Sequence, residues 1–179
     1  GSLLPSTEFS IAALITMLLI QTPNTLLEEV GWRGFALPRM AEKWGWLPAA
    51  LLLGAIHGAW HLPYWLSQTD IHVYGALAIA MWYLMVLVAT PLFVWLYRTT
   101  QSVLVCWLLH LSTNTILAFL PLSSASMGSL WPLAVDILIV GGIAVVACRS
   151  LLKADRASRA AGTGRIEPGR IAAVQPGSV

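Results

Sequence analysis

The fold this 179-residue chain predicts is an all-α polytopic transmembrane bundle of about five spans around a polar cavity. Three observations predict it. Hydrophobic residues make up 58% of the chain and charged residues 10%, against about 25% charged in a soluble domain, and mean hydropathy is +0.75. The apolar residues fall into runs close to the roughly 20 residues that cross the hydrocarbon core. Lys and Arg collect in alternate connections, as cytoplasmic loops do. The composition excludes a soluble globular domain. Nucleic-acid binding is a poor alternative, because no basic face interleaved with aromatics exists outside the C-terminal tail.

The first run extends from about Phe9 to Gln21, with an expected break or kink at Pro23, and continues helically through Glu28 to about Leu37. Such a discontinuous helix suits the wall of a cavity. The second run covers about Leu47 to Leu66, the third about Tyr74 to Tyr97, the fourth about Ser102 to Leu120 and the fifth about Leu130 to Leu152. From Lys153 the composition turns to Ala, Gly, Ser and Arg. Residues 1–152 are therefore expected as the transmembrane domain and 153–179 as a flexible basic cytoplasmic tail.

Arg39 and Lys43 follow the first run, Arg98 lies between the third and fourth, and Arg149, Lys153, Arg156 and Arg159 follow the fifth. With five spans all of these fall on one side. The expectation is an integral membrane protein with its C-terminus in the cytoplasm. Trp44, Trp46, Trp65, Trp95 and Trp131 lie where an aromatic belt would place them. Six of the ten basic residues lie from Arg149 onward, able to meet anionic headgroups of the lipid bilayer. Cys106 and Cys148 both lie in apolar runs and read as small buried hydrophobes.

Carboxylates at bilayer depth cost several kcal/mol unless paired or hydrated, so Glu28 and Glu29 mark a candidate site. Glu29 and Arg33 stand at i and i+4, where an ion pair can hold both, while Glu28 points about 100° away. Glu28 is thus expected to be the unpaired member, a general base able to take a proton from water, with His61 sharing that water. His110 and Asn114, again i and i+4, supply an imidazole and a carboxamide able to donate to a developing oxyanion. Together these residues suit a hydrolase.

Each has a plainer reading. Glu29 with Arg33 makes a buried structural ion pair, and His110 or Asn114 alone makes an interhelical hydrogen bond. His57 lies one turn before His61, so a two-histidine metal site is conceivable, but Gly58 stands where the metalloprotease helix signature needs Glu. Ala50, Gly54 and Gly58 form a small-residue stripe expected to bring the His61 helix close to a neighbour. Asp136 and His72 read as interfacial, without a role.

Four runs of sequence carry a family resemblance: Glu28-Glu29-Val30-Gly31-Trp32-Arg33-Gly34 with Leu37-Pro38-Arg39, then Gly58-Ala59-Trp60-His61-Leu62-Pro63, then Trp95-Leu96-Tyr97, and His110-Leu111-Ser112-Thr113-Asn114. Over about Pro23 to Leu117 the chain resembles the bacterial CPBP family, that of type II CAAX prenyl endopeptidases and of bacteriocin-processing and self-immunity proteins, also called Abi-type intramembrane proteases. The resemblance implies an intramembrane endopeptidase acting on a peptide or lipidated protein, a CAAX-type or bacteriocin-like substrate. It implies that Glu28 and His61 activate water, that His110 and Asn114 form the oxyanion hole, and that Glu29 and Arg33 complete the first motif. No cofactor is required in that mechanism. Whether a divalent metal such as zinc takes part is contested in the family, and if it does, Glu28, His61 and His110 are the expected ligands.

Two departures stand out. The position four residues before the second motif's histidine is usually Phe or Trp, and here it is His57, which could crowd the site, tune His61 or add a ligand. The family usually has more helices before the glutamate motif, and the Gly1-Ser2 start fits an N-terminally truncated chain. A non-catalytic immunity or scaffold protein, or a proton-coupled transporter, would use the same buried polar residues.

Overall fold

A computed structural model describes residues 10–67, 75–119 and 130–161, and within them every element is helical. Helix α1 (Ile11–Glu29) starts where Ser10 accepts the backbone N–H of Ala13 at 3.1 Å. It passes Pro23 without the expected break. The turn around the proline is held from its side chains: Thr25 Oγ1 donates to the carbonyl of Gln21 at 2.7 Å, and Trp107 Nε1 donates to that of Thr22 at 3.3 Å. These bonds tie down the turn that contains Pro23, while the carbonyl its missing N–H leaves open is that of Leu19, four residues earlier.

The irregularity comes later. Directly after Glu29 the chain forms a π-helical segment, Val30–Ala36, at whose end the Leu37 N–H reaches back five residues to the Trp32 carbonyl. Helix α2 (Leu37–Trp44) then buries Leu37 and Ala41 and exposes Arg39, Glu42 and Lys43. Arg39 stacks over Phe35, and Lys43 lies 4.9 Å from the Trp44 ring centroid, contacts that suit an interfacial helix.

Gly45 turns the chain into α3 (Trp46–Leu66) at φ +97°, a conformation open to glycine and costly for other residues. Next come α4 (Ala76–Thr100), closed by Gln101 in the left-handed region, then α5 (Val103–Phe119) and α6 (Trp131–Ala160). Helix α6 runs eight residues beyond the boundary at Leu152. The reason is Asp155, whose two carboxylate oxygens accept the N–H groups of Trp46 and Leu47 at 2.7 and 3.0 Å and so cap α3 from the far end of the chain. Most of the expected tail, residues 162–179, lies outside the described residues, as do His72 and its loop.

Helix α3 packs along α4, α4 along α6, and α1 along α5. The small-residue stripe makes the first contact close: a Cβ at Gly54 would lie 3.1 Å from Thr90 Oγ1, and one at Gly58 would lie 3.0 Å from the Tyr83 ring. A core of Leu37, Ala41, Trp46, Ala49, Ala50, Leu53, Val94 and Leu151 closes the end where α2, α3, α4 and α6 meet. Large apolar side chains point outward along α1 and α6, Leu19 and Leu138 among them. By length and composition, Ile11–Trp44, Ala76–Thr100 and Leu133–Ala160 can each cross a membrane, and Val103–Ile116 is a shorter apolar helix. This is an all-α polytopic membrane bundle. Among the described residues three helices meet the length and apolarity needed; Trp46–Leu66 is long enough but diluted by its histidines, prolines and tryptophans.

Candidate active site

The end of α1, the π segment, α3 and α5 bring their polar side chains together in two layers. The inner layer is dry. Arg33 Nη1 donates to Glu29 Oε1 at 2.8 Å, and His110 Nδ1, arriving from α5, lies 2.8 Å from the same oxygen. Glu29 is fully buried and Arg33 is 2% exposed. The guanidinium lies over Phe93 of α4, 4.5 Å from the ring centroid, and the edge of that ring packs against His110. An ionised carboxylate only accepts, so Nδ1 of His110 carries the proton and Nε2 faces away from Glu29. Glu29 Oε2 and Arg33 Nε have no hydrogen-bond partner among the described residues.

The outer layer reaches solvent. Glu28 is not unpaired as the sequence suggests: its Oε2 lies 3.2 Å from His57 Nε2, and its side chain keeps 17% exposure. The correction has a simple cause. Helix α3 approaches the end of α1 with its His57 and His61 face, so the imidazole from the unusual position meets the carboxylate that turns away from Arg33. His57 and His61 ring centroids lie 4.8 Å apart, Trp32 packs on His57 at 5.0 Å, and Trp65 stacks on His61 at 5.3 Å. A Cβ at Gly34 would lie 3.5 Å from Val103, so the π segment runs close to α5 there.

Asn114 sits one turn past His110 on α5, half-buried, and forms no hydrogen bond among the described residues. Of the two expected oxyanion donors, His110 therefore has one ring nitrogen committed to Glu29, while the Asn114 carboxamide is uncommitted. Asp136 is half-buried on α6, outside both layers.

The donor set that the structure groups differs from the expected one in one residue. Glu28, His57 and His61 offer one ligand atom each, all within 4.8 Å of one another, and His110 is not in that grouping. Tetrahedral zinc with bonds of about 2.0–2.2 Å holds its ligand atoms roughly 3.4 Å apart, so small side-chain rotations bring this trio to that spacing. One carboxylate and two imidazoles match the ligand chemistry of a catalytic zinc. The residues present fit such an ion.

Sequence reasoning misses Phe93 and Trp32 as walls of the site, since a single aromatic in an apolar run carries no signal of its neighbours. The sequence signals for His57 are its i, i+4 relation to His61 and its place where the family usually has Phe or Trp, and neither names Glu28 as its partner.

Residues 9–116 match the family model described as type II CAAX prenyl endopeptidase Rce1-like. That stretch holds α1, the π segment, α2 to α4 and all the residues of both layers. No curated protein and no solved structure matches the chain.

Proposed function

The chain belongs to the Rce1-like type II CAAX prenyl endopeptidase family, a family of intramembrane proteases, and from that premise we propose that it hydrolyses a peptide bond of a membrane-associated substrate with water activated at Glu28. The observation that carries the reading is the meeting of two glutamate–histidine pairs, Glu28 with His57 and Glu29 with His110, drawn from three separate helices into one apolar bundle. Apolar packing alone would place no such pairs there.

In the proposed mechanism the partly exposed Glu28 takes the proton of the attacking water, and His61 holds that water in line. Electrons of the carbonyl move onto its oxygen as water attacks. Asn114 donates to that oxygen from its amide, and His110, its Nδ1–H held by Glu29, donates from Nε2 in its doubly protonated form, whose charge meets the developing oxyanion. Glu29, oriented by Arg33, is a positioning residue that fixes which His110 nitrogen faces the substrate. Collapse of the tetrahedral intermediate breaks the C–N bond, and the proton held by Glu28 passes to the leaving amine. Arg33 bonds to Glu29 and lies over Phe93, and it takes no part in the reaction.

A divalent ion such as zinc, if bound, would be held by Glu28, His57 and His61, with Glu28 then a ligand in place of a base, and would supply Lewis-acid polarisation and an acidified water. The substrate class proposed is a CAAX-type or bacteriocin-like polypeptide held at the cytoplasmic half of the bilayer, with the C-terminus of the chain on that side. The test is cleavage of a membrane-peptide library by purified protein in lipid, with wild type beside Glu28→Ala and a chelator added to each arm. Loss of cleavage in a folded Glu28→Ala protein supports the reading. Cleavage equal to wild type overturns the role of Glu28.

A further inference from the structure

We propose that His57 turns the outer layer into a transition-metal site, with Glu28, His57 and His61 as its three protein ligands and His110 excluded. The proposal departs from the Glu28, His61 and His110 set that the sequence motifs suggest, and it rests on three features.

Geometry comes first. His57 and His61 stand at i and i+4 on one face of α3, a spacing that lets two imidazoles reach one ion, and Glu28 closes the triangle with all three ligand atoms within 4.8 Å. His110 is held elsewhere, its Nδ1 on Glu29 at 2.8 Å.

Charge comes second. Arg33 is neutralised by Glu29, so the negative charge facing the outer layer is that of Glu28, shared only with neutral-capable imidazoles. A divalent ion is the partner that such a carboxylate in an apolar bundle lacks. Binding replaces the Nε2···Oε2 contact of His57 with Glu28 by two metal–ligand bonds, and the neutral imidazole then carries its one N–H on Nδ1.

Support from the surroundings comes third. Trp32 packs on His57, and Trp60 and Trp65 pack on His61, so the two rings are held in place by aromatic faces. Glu28 and His61 remain partly open, giving the ion a way in. Two imidazoles and one carboxylate suit zinc, cobalt, nickel or copper, and suit magnesium or calcium poorly.

The test uses the purified full chain in detergent micelles, stripped with a chelator and titrated with Co²⁺ alone, then with Zn²⁺ as competitor and Mg²⁺ as control. Wild type is expected to bind one equivalent of Co²⁺ with the visible absorption of a four-coordinate ion, to release it to Zn²⁺ and to ignore Mg²⁺. His57→Phe and Glu28→Gln are each expected to weaken binding at least about tenfold, the scale seen when even a group supporting a metal ligand is lost. His110→Gln is expected to bind as wild type. Should His57→Phe fail to fold, judged by its elution and thermal unfolding, His57→Gln takes its place. Absence of stoichiometric binding by wild type overturns the proposal, as does undiminished binding by the folded His57 variants. A loss in His110→Gln as large as in His57→Phe also overturns it, because the ion would then sit on the other set. Binding needs no cleavage, so ion binding without peptidase activity removes the hydrolase reading alone, and cleavage without ion binding removes this one alone.

Discussion

His110 Nδ1 and Glu29 Oε1 stand 2.8 Å apart although 81 residues separate them, and Arg33 shares the same oxygen. One fully buried carboxylate thus anchors α5 to the end of α1. Its neighbour Glu28 is left to face His57 and the open side of the site.

Removing the anchor leaves a buried cation without its counter-charge. Glu29→Ala is expected to destabilise the protein by about 3–5 kcal/mol, the range for breaking a buried ion pair from one side. Glu29→Leu combined with Arg33→Met is expected to recover most of that loss, since two apolar side chains leave no charge to desolvate. Thermal unfolding in micelles checks both, and a double variant no more stable than Glu29→Ala alone would show that the pair is not the source.

Glu28→Ala is expected to lower peptide cleavage by about 10²–10⁴, the contribution of a general base, with little change in unfolding temperature because the side chain is partly exposed. Single-turnover rates in lipid, with folding followed in parallel, make the comparison. A large drop in stability would mean that Glu28 is structural.

Asn114→Ala is expected to cost about 10²–10³ in turnover and almost nothing in stability, because the carboxamide has no hydrogen bond among the described residues to lose. Asn114 donates only when a substrate oxygen arrives. Equal turnover in variant and wild type would remove it from the oxyanion hole.

Asp155→Ala is expected to destabilise the protein by about 2 kcal/mol, because it removes a charged cap from two N–H groups at the start of α3. Asp155→Asn keeps one acceptor and should lose less. Unfolding temperatures of the two variants order the effect, and an Asp155→Asn protein less stable than Asp155→Ala would contradict the cap.

The α3–α4 contact is expected to punish a single methyl. Gly54→Ala puts its Cβ 3.3 Å from the Leu87 backbone and should cost about 1–3 kcal/mol, whereas Gly31→Ala, with nothing within 4 Å, should be close to neutral. Parallel unfolding of both variants tests whether close backbone approach, and not glycine itself, is what α3 requires.

Sequence alone determined the class and the helices, because bilayer residence needs long apolar runs and the hydrogen bonds of a helix close within its own segment. It also determined the pairing of Glu29 with Arg33, which lie one turn apart and meet whatever the rest of the chain does. The partners of Glu28 and of His110 were decided by tertiary structure, since which face of α3 or α5 meets α1 depends on how helices distant in sequence pack. The same holds for the extension of α6 past Leu152. Its apolar signal ends there, and only the N–H groups of Trp46 and Leu47, more than a hundred residues earlier, give Asp155 a reason to be buried. The π segment belongs to tertiary structure as well: Pro23 is the local signal for a break, yet side chains of α1 and α5 hold that turn, and the irregularity falls beside the glutamates, where the polar layers of the bundle meet.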